Sequence, residues 1–286
     1  MINLSEFIDD ATTRFENAGV ETPRVDAELL VGFVLGLTRG ELQSALIAGT
    51  LNANQEQIDT LNAFVTRRES REPLQHLTGE AHFRNITLRV GKGVFVPRPE
   101  TEWVTSLAVD ATKACAAPEP IVFDLCAGSG AIGLAIASEV PNAKVIGIEK
   151  SPDAFVYTKE NYAAIAPENG TPMLGDLSEA PAQFDGITDV VISNPPYIPA
   201  QMIPVYPEVA LHDPGLALYG GDDGLDVVRV VSQTAQRLLR PGGFLVIEHA
   251  DMQGEAVRNL LLNDGWKQVR THQDFNGRDR AATATK

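Results

Sequence analysis

The chain has 286 residues, of which 44% are hydrophobic and 21% charged, an ordinary globular mix long enough for two domains. A formal net charge of −15 argues against broad contact with a nucleic-acid phosphate backbone, which demands clustered Lys and Arg, yet leaves a basic partner protein open. Two cysteines, Cys115 and Cys126, imply no disulfide framework, and no apolar stretch approaches the roughly 20 residues that span a bilayer. The first residues have neither the basic start nor the apolar core of a signal peptide, so a cytoplasmic protein without a membrane segment is expected.

Residues 1–72 read as a small helical domain. Leu30, Phe33, Val34 and Leu37 follow the i, i+3, i+4, i+7 spacing of one buried helix face. Thr38 and Glu41 have the spacing of a capping box for the next helix. Ile58, Leu61 and Val65 mark one more. Residues 73–100 change character: Phe83, Ile86, Leu88 and Val90 predict a β-hairpin linker, followed by Gly91-Lys92-Gly93. The hairpin runs into Phe95-Val96-Pro97-Arg98-Pro99, just ahead of a helix over roughly 101–115.

The third region, 101–286, alternates strands and helices. Strands are predicted at Ile121–Leu125, Lys144–Glu149, Val190–Ser193, Phe244–Glu248 and Trp266–Arg270. Helices are predicted to begin at Ala131, after the cap Ser151-Pro152-Asp153, at Leu225 with Asp222, Asp223 and Asp226 as caps, and at Gln253. Pro241-Gly242-Gly243 reads as a turn, and Arg278-Asp279-Arg280 as an edge strand or turn. Such alternation implies a mostly parallel sheet with helices on both faces, which binds ligands at the carboxyl ends of its strands.

Two motifs carry chemistry. Asp124-Leu125-Cys126-Ala127-Gly128-Ser129-Gly130 lies between a strand and a helix, where glycines let a ligand approach the backbone and the helix start offers free N–H groups. Glu149 ends the next strand, where an acid can accept hydrogen bonds from ribose hydroxyls. This pattern alone fits dinucleotide and S-adenosylmethionine binding about equally, and Gly133 could supply the third glycine of a dinucleotide fingerprint. Asn194-Pro195-Pro196-Tyr197, at the end of a later strand, decides between them. Two prolines stiffen the loop and hold Asn194 out of the helical region. The Asn194 side-chain oxygen and the Pro195 carbonyl can hold both N–H bonds of a planar amine or amide and aim its nitrogen at a sulfonium methyl group. The same acceptors stabilise positive charge that develops on that nitrogen. Tyr197 can pack against the flat group. Cys126 reads as a small buried side chain rather than a reactive thiol, and neither His212-Asp213 nor Glu248-His249 has a second His at metal-ligand spacing, so no metal is expected.

The chain resembles the HemK/PrmC family, the glutamine N5-methyltransferases of bacterial peptide-chain release factors. The resemblance is carried by Gly19 to Leu30, by Arg71 to Gly79, by Phe95 to Glu102, by Ser193 to Ile198, and by Glu208-Val209 with Gly220 to Asp226. It implies a class I S-adenosylmethionine-dependent methyltransferase fold, Rossmann-like with a late antiparallel strand, behind a helical substrate-recruiting domain. The implied substrate is the glutamine of the release factor's Gly-Gly-Gln loop, and the implied product of the donor is S-adenosylhomocysteine. By the same resemblance Asp124 and Cys126 to Gly130 wrap the methionine part of the donor, Glu149 holds the ribose, and Asp176-Leu177 lies near the adenine. Asn194, also beside the donor, joins Pro195, Pro196 and Tyr197 on the glutamine amide, while Phe95, Pro97 and Arg98 close over donor or substrate. The chain departs from the family pattern at Cys126, commonly Gly, at Glu149, commonly Asp, and at Leu177, frequently Trp. A monomer is expected. The competing expectations are an adenine N6-methyltransferase of nucleic acid, which the net charge disfavours, a non-catalytic binding protein, and an NAD dehydrogenase, for which no hydride-site residues are evident.

Overall fold

The computed structural model describes residues 3–286, which divide into two compact units. The smaller unit comprises the chain as far as Gly79 together with Val205–His212. Its helices span Leu4–Asn17, Pro23–Leu35, Arg39–Ala48, Gln55–Glu69 and Leu74–Thr78. Ile8, Phe15, Leu30, Val31, Leu42 and Leu61 form its core. The capping box of Thr38 and Glu41 is present as read from the sequence. The helix carrying Leu30 ends earlier than its periodicity suggests. Gly36 adopts a left-handed conformation and Leu37 donates its N–H back to Gly32, which places Leu37 beyond the helix and leaves Phe33 exposed. Arg68, nearly buried, pairs with Asp26 at 2.8 Å and with Glu208 at 2.9 Å, and Arg71 reaches Glu208 at 2.5 Å. These pairs fasten the short helix Pro207–His212 to the unit.

The larger unit holds a hairpin of β1 (Glu80–Phe83) and β2 (Ile86–Arg89) and a seven-stranded sheet. The sheet strands are β3 (Ile121–Leu125), β4 (Lys144–Glu149), β5 (Gly170–Leu174), β6 (Thr188–Ser193), β7 (Leu239–Glu248), β8 (Lys267–Gln273) and β9 (Asp279–Thr285). Their order is β5-β4-β3-β6-β7-β9-β8. β5 through β7 are parallel, while β9 runs antiparallel to both of its neighbours. This is the class I methyltransferase architecture with its late antiparallel strand. The hairpin belongs to the same core: Phe83 and Leu88 pack with Val104, Leu134 and Val190. On the opposite face Phe123, Ile148, Val231 and Leu245 form a second core. β3, β4 and β6 are apolar almost throughout because each is covered on both faces.

Three elements depart from the sequence reading. Pro241-Gly242-Gly243 is not a turn before a strand but a bulge inside β7: Leu239 faces Thr188 and Phe244 faces Val190, so the residues between them loop out of register. Asp279 and Arg280 begin an internal strand, since Ala281 to Ala284 are small enough to pack between β7 and β8 yet weakly hydrophobic as a pattern. The helix Asp226–Leu238 receives no side-chain cap; Asp223 instead accepts from the Leu225 N–H at 2.9 Å and pairs with Arg229.

Candidate functional site

The parallel registers align Ile148, Leu125, Ser193 and Ile247 across β4, β3, β6 and β7. The residues that follow them, Glu149, Cys126, Asn194 and Glu248, therefore stand in a row along one carboxyl edge. The chain runs from β3 outward to β4 and β5, then returns to the other side of β3 with β6 and β7. The row thus straddles the topological switch point, where open α/β sheets hold their ligands.

On the β3–β4 side the glycine loop is stapled by Glu149. Its Oε2 accepts from the Gly128 N–H at 2.8 Å and its Oε1 from the Ser151 N–H at 2.6 Å. Burial pushes this carboxyl up from its ordinary value and the backbone donors pull it back. The Lys150 N–H also favours its charged form, and the carboxylate's roughly four acceptor sites still leave room for a ligand hydroxyl. Gly128 has φ +57° and open space where a Cβ would stand, as a backbone cradle requires. Thr158 Oγ1 donates to the Gly128 carbonyl and Asn161 Nδ2 to the Ser129 carbonyl, holding the loop from below. Cys126 also has φ +67°, a strained value for a side chain other than Gly, and burial pushes its thiol far above the ordinary value, so it is a poor thiolate. Asp124 is fully buried and accepts from the Gly133 N–H at 2.8 Å; burial raises its carboxyl to about 7. Asp176 caps the turn Leu177–Glu179 and pairs with Lys150 at 2.9 Å. Its bonds from Ser178, and then Lys150, hold it down to about 2. Leu177 is buried among Phe123, Ile146 and Ile148.

On the β6–β7 side the loop after β6 is stiff for two reasons. Pro195 and Pro196 fix its backbone, and the segment Gly220–Gly224 props it: Gly220 N–H donates to the Ile198 carbonyl at 2.9 Å, and Gln253 Nε2 donates to the Tyr197 carbonyl at 2.9 Å. A Cβ at Gly224 would stand 2.2 Å from the Tyr197 carbonyl oxygen, so only Gly fits that approach. Asn194 Nδ2 donates to Thr101 Oγ1 at 3.3 Å, which leaves Oδ1 available as an acceptor. Tyr197 is half-buried, and its hydroxyl is pushed well above the ordinary value by burial and by the charge of Glu248. Arg98 lies 4.7 Å from the Phe95 ring centroid and pairs with the buried Asp213 at 2.5 Å. That pairing ties Phe95, Pro97 and Arg98 into one strap, while burial raises Asp213 to about 6.

The sequence-predicted residues therefore gather on one edge, with Asp124 and Leu177 behind the surface of the row. The sequence assigns no site role to Thr101 or Gln253, and Glu248 is weighed there only beside His249 as a metal candidate and set aside. Glu248 ends its strand as Glu149 does, and that shared position was the available signal. Among the described residues no group of three or more His, Cys, Asp and Glu is placed to hold a metal, and no single helix is long and apolar enough to cross a membrane.

A family model described as the PrmC N-terminal domain matches residues 6–79, and one described as a methyltransferase domain matches residues 118–281. The release factor glutamine methyltransferase of Streptomyces coelicolor is 47% identical over 281 residues, covering 98% of this chain and 96% of that protein. The chain belongs to the release factor glutamine methyltransferase family. Its relative of that name from Bifidobacterium longum is 42% identical, covering 97% of each chain. That from Mycolicibacterium smegmatis is 41% identical, covering 100% of this chain and 99% of the relative. The family and the class I fold read from the sequence both hold.

Proposed function

We infer that this protein transfers the methyl group of S-adenosylmethionine to the side-chain amide nitrogen of the glutamine in the Gly-Gly-Gln loop of peptide-chain release factors. The observation that carries the reading is the orientation of Asn194, whose Nδ2 is engaged by Thr101 and whose Oδ1 is free to accept, in one row with a stapled glycine loop. An amide nitrogen is a poor nucleophile because its lone pair is delocalised. Asn194 Oδ1 and the Pro195 carbonyl accept its two N–H bonds, orient the nitrogen and stabilise the charge it gains. Pro196 keeps those acceptors rigid and Tyr197 packs on the amide plane. The donor, when bound, supplies an electrophilic methyl on a sulfonium. Cys126, Ala127, Gly128, Ser129 and Gly130 cradle it, Glu149 takes the ribose, and Asp176 flanks the adenine with Leu177 packed beneath it. The open space over Gly128 supports this fit. Phe95, Pro97 and Arg98 close the site as one strap.

In this reading the helical segment 1–72 recruits the release factor, and 101–286, joined to it in sequence by the 73–100 linker, carries the chemistry. Exposed Met202, Ile203, Leu216 and Tyr219, on the chain just after the Asn194 loop, suit a protein surface better than a nucleic acid. The protein acts as a cytoplasmic monomer. Mass spectrometry of release factor peptides after incubation with the protein and S-adenosylmethionine tests the proposal. The Gly-Gly-Gln peptide should gain one methyl group in exchange for one hydrogen. An unshifted peptide from protein that binds its donor, or label entering DNA alone, overturns the reading.

A further inference from the structure

We propose that the buried carboxylate of Glu248 is a positioning residue for methyl transfer, holding the Asn194 amide, together with Thr101, in the orientation that turns Oδ1 outward to the glutamine nitrogen. This rests on the reading of Asn194 as the amide clamp. The two ends of an Asn side chain have nearly the same shape and opposite hydrogen-bonding character. Only one orientation offers an acceptor to the substrate. Thr101 Oγ1 accepts from Asn194 Nδ2, but a hydroxyl can also donate, so Thr101 alone does not choose between the two orientations.

Glu248 supplies the choice. It follows Ile247, the register partner of Ser193, so it stands beside Asn194 at the strand ends. The side chains of Thr101 and Asn194 both favour its charged form. An ionised carboxylate only accepts. It draws the Thr101 hydrogen to itself, which turns a Thr101 lone pair toward Asn194 Nδ2. A flipped amide would set Oδ1 against the carboxylate. Glu248 is 1% exposed, so water does not relieve that clash.

Glu248 Oε2 has no hydrogen-bond partner among the described residues. Burial raises Glu248 to about 7; Thr101, the Arg280 charge from β9 and Asn194 pull it down, while Glu100 at the start of the helix Pro99–Lys113 pushes it up. Tyr197, from the loop itself, also faces it. A protonated Glu248 can donate to Oδ1, so the discrimination requires the ionised form.

The test is Glu248→Gln, whose amide donates and accepts and therefore does not discriminate. At pH 8 kcat should fall about tenfold or more, while the Kd for S-adenosylmethionine and the KM for release factor stay within about threefold. The wild-type kcat should rise to a plateau above about pH 7, and the variant should lack that limb. Its melting temperature at pH 8 should match or exceed the wild type, because a desolvated charge has been removed. An unchanged kcat, a retained limb, or an equal loss of donor affinity overturns the proposal. If Glu248→Gln fails to fold, Thr101→Val carries the same kcat test, and Thr101→Ser should restore activity; a Thr101→Val enzyme of full activity overturns it. Wild-type protein that methylates no release factor overturns the function itself, whereas a methylating wild type with an unaffected Glu248→Gln overturns only this role.

Discussion

The two sides of the row of strand ends solve opposite problems. Beside β3 and β4 the loop is made of Gly and small residues and held by backbone donors to Glu149 and by Thr158 and Asn161. Beside β6 and β7 it is made of prolines and held by side chains buried beneath it. The first arrangement leaves N–H groups and space, which suits a large ligand that must enter and leave. The second leaves one amide oxygen and fixed carbonyls, which suits a small group that must be aimed. Glycine creates room and proline removes freedom, and the site uses each where its physics is needed.

Substitutions on the two sides should separate binding from chemistry. The largest effect is expected from Asn194→Ala, which removes an acceptor used in the transition state. Turnover should fall roughly 10²–10³-fold, with the affinity for S-adenosylmethionine nearly unchanged by calorimetry. A loss confined to donor affinity would erase the distinction between the two sides. Glu149→Ala should do the reverse. It removes the anchor of the Gly128 and Ser151 N–H groups as well as the ribose acceptor, and donor affinity should drop about 10- to 100-fold, in line with about 1.5–3 kcal/mol for a hydrogen bond to a charged group.

A smaller effect is expected from Gly224→Ala. A Cβ there meets the Tyr197 carbonyl at a backbone φ of +76°. The shift should cost about 1–3 kcal/mol of stability and lower turnover more than donor affinity, measured by denaturant unfolding beside single-turnover assays. Equal losses of turnover and donor affinity would mean that the prop serves both loops. Cys126→Gly should have the smallest effect. It relieves a left-handed conformation at φ +67° that costs a side chain roughly 1–2 kcal/mol, offset in part by lost packing and by greater freedom of the unfolded chain. A rise of a few degrees in Tm with unchanged turnover is expected; a fall would show that the thiol's packing outweighs the strain.

Much of this is legible in the sequence. Asn194-Pro195-Pro196-Tyr197 announced itself because a double proline after an apolar run restricts the backbone locally. Glu149 and the Gly128 loop were legible because strand, loop and helix follow each other in the chain. The role of Glu248 is not, because its partners Thr101 and Asn194 lie far from it in sequence. Nor are the length and internal place of the strand Asp279–Thr285, whose alanines and threonines give little hydrophobic contrast, or the prop at Gly220–Gly224, whose purpose exists only against the Tyr197 loop.

The sequence by itself determined the family, the alternation of strands and helices, and the chemical types at each strand end. These follow from local periodicity, turn chemistry and motif order. Only the tertiary structure decided that Glu149, Cys126, Asn194 and Glu248 share one edge, that Arg98 pairs with Asp213, and which way the Asn194 amide faces. The reason is physical: strand register, buried charge pairing and amide orientation are set by neighbours across the sheet, and those neighbours are distant along the chain.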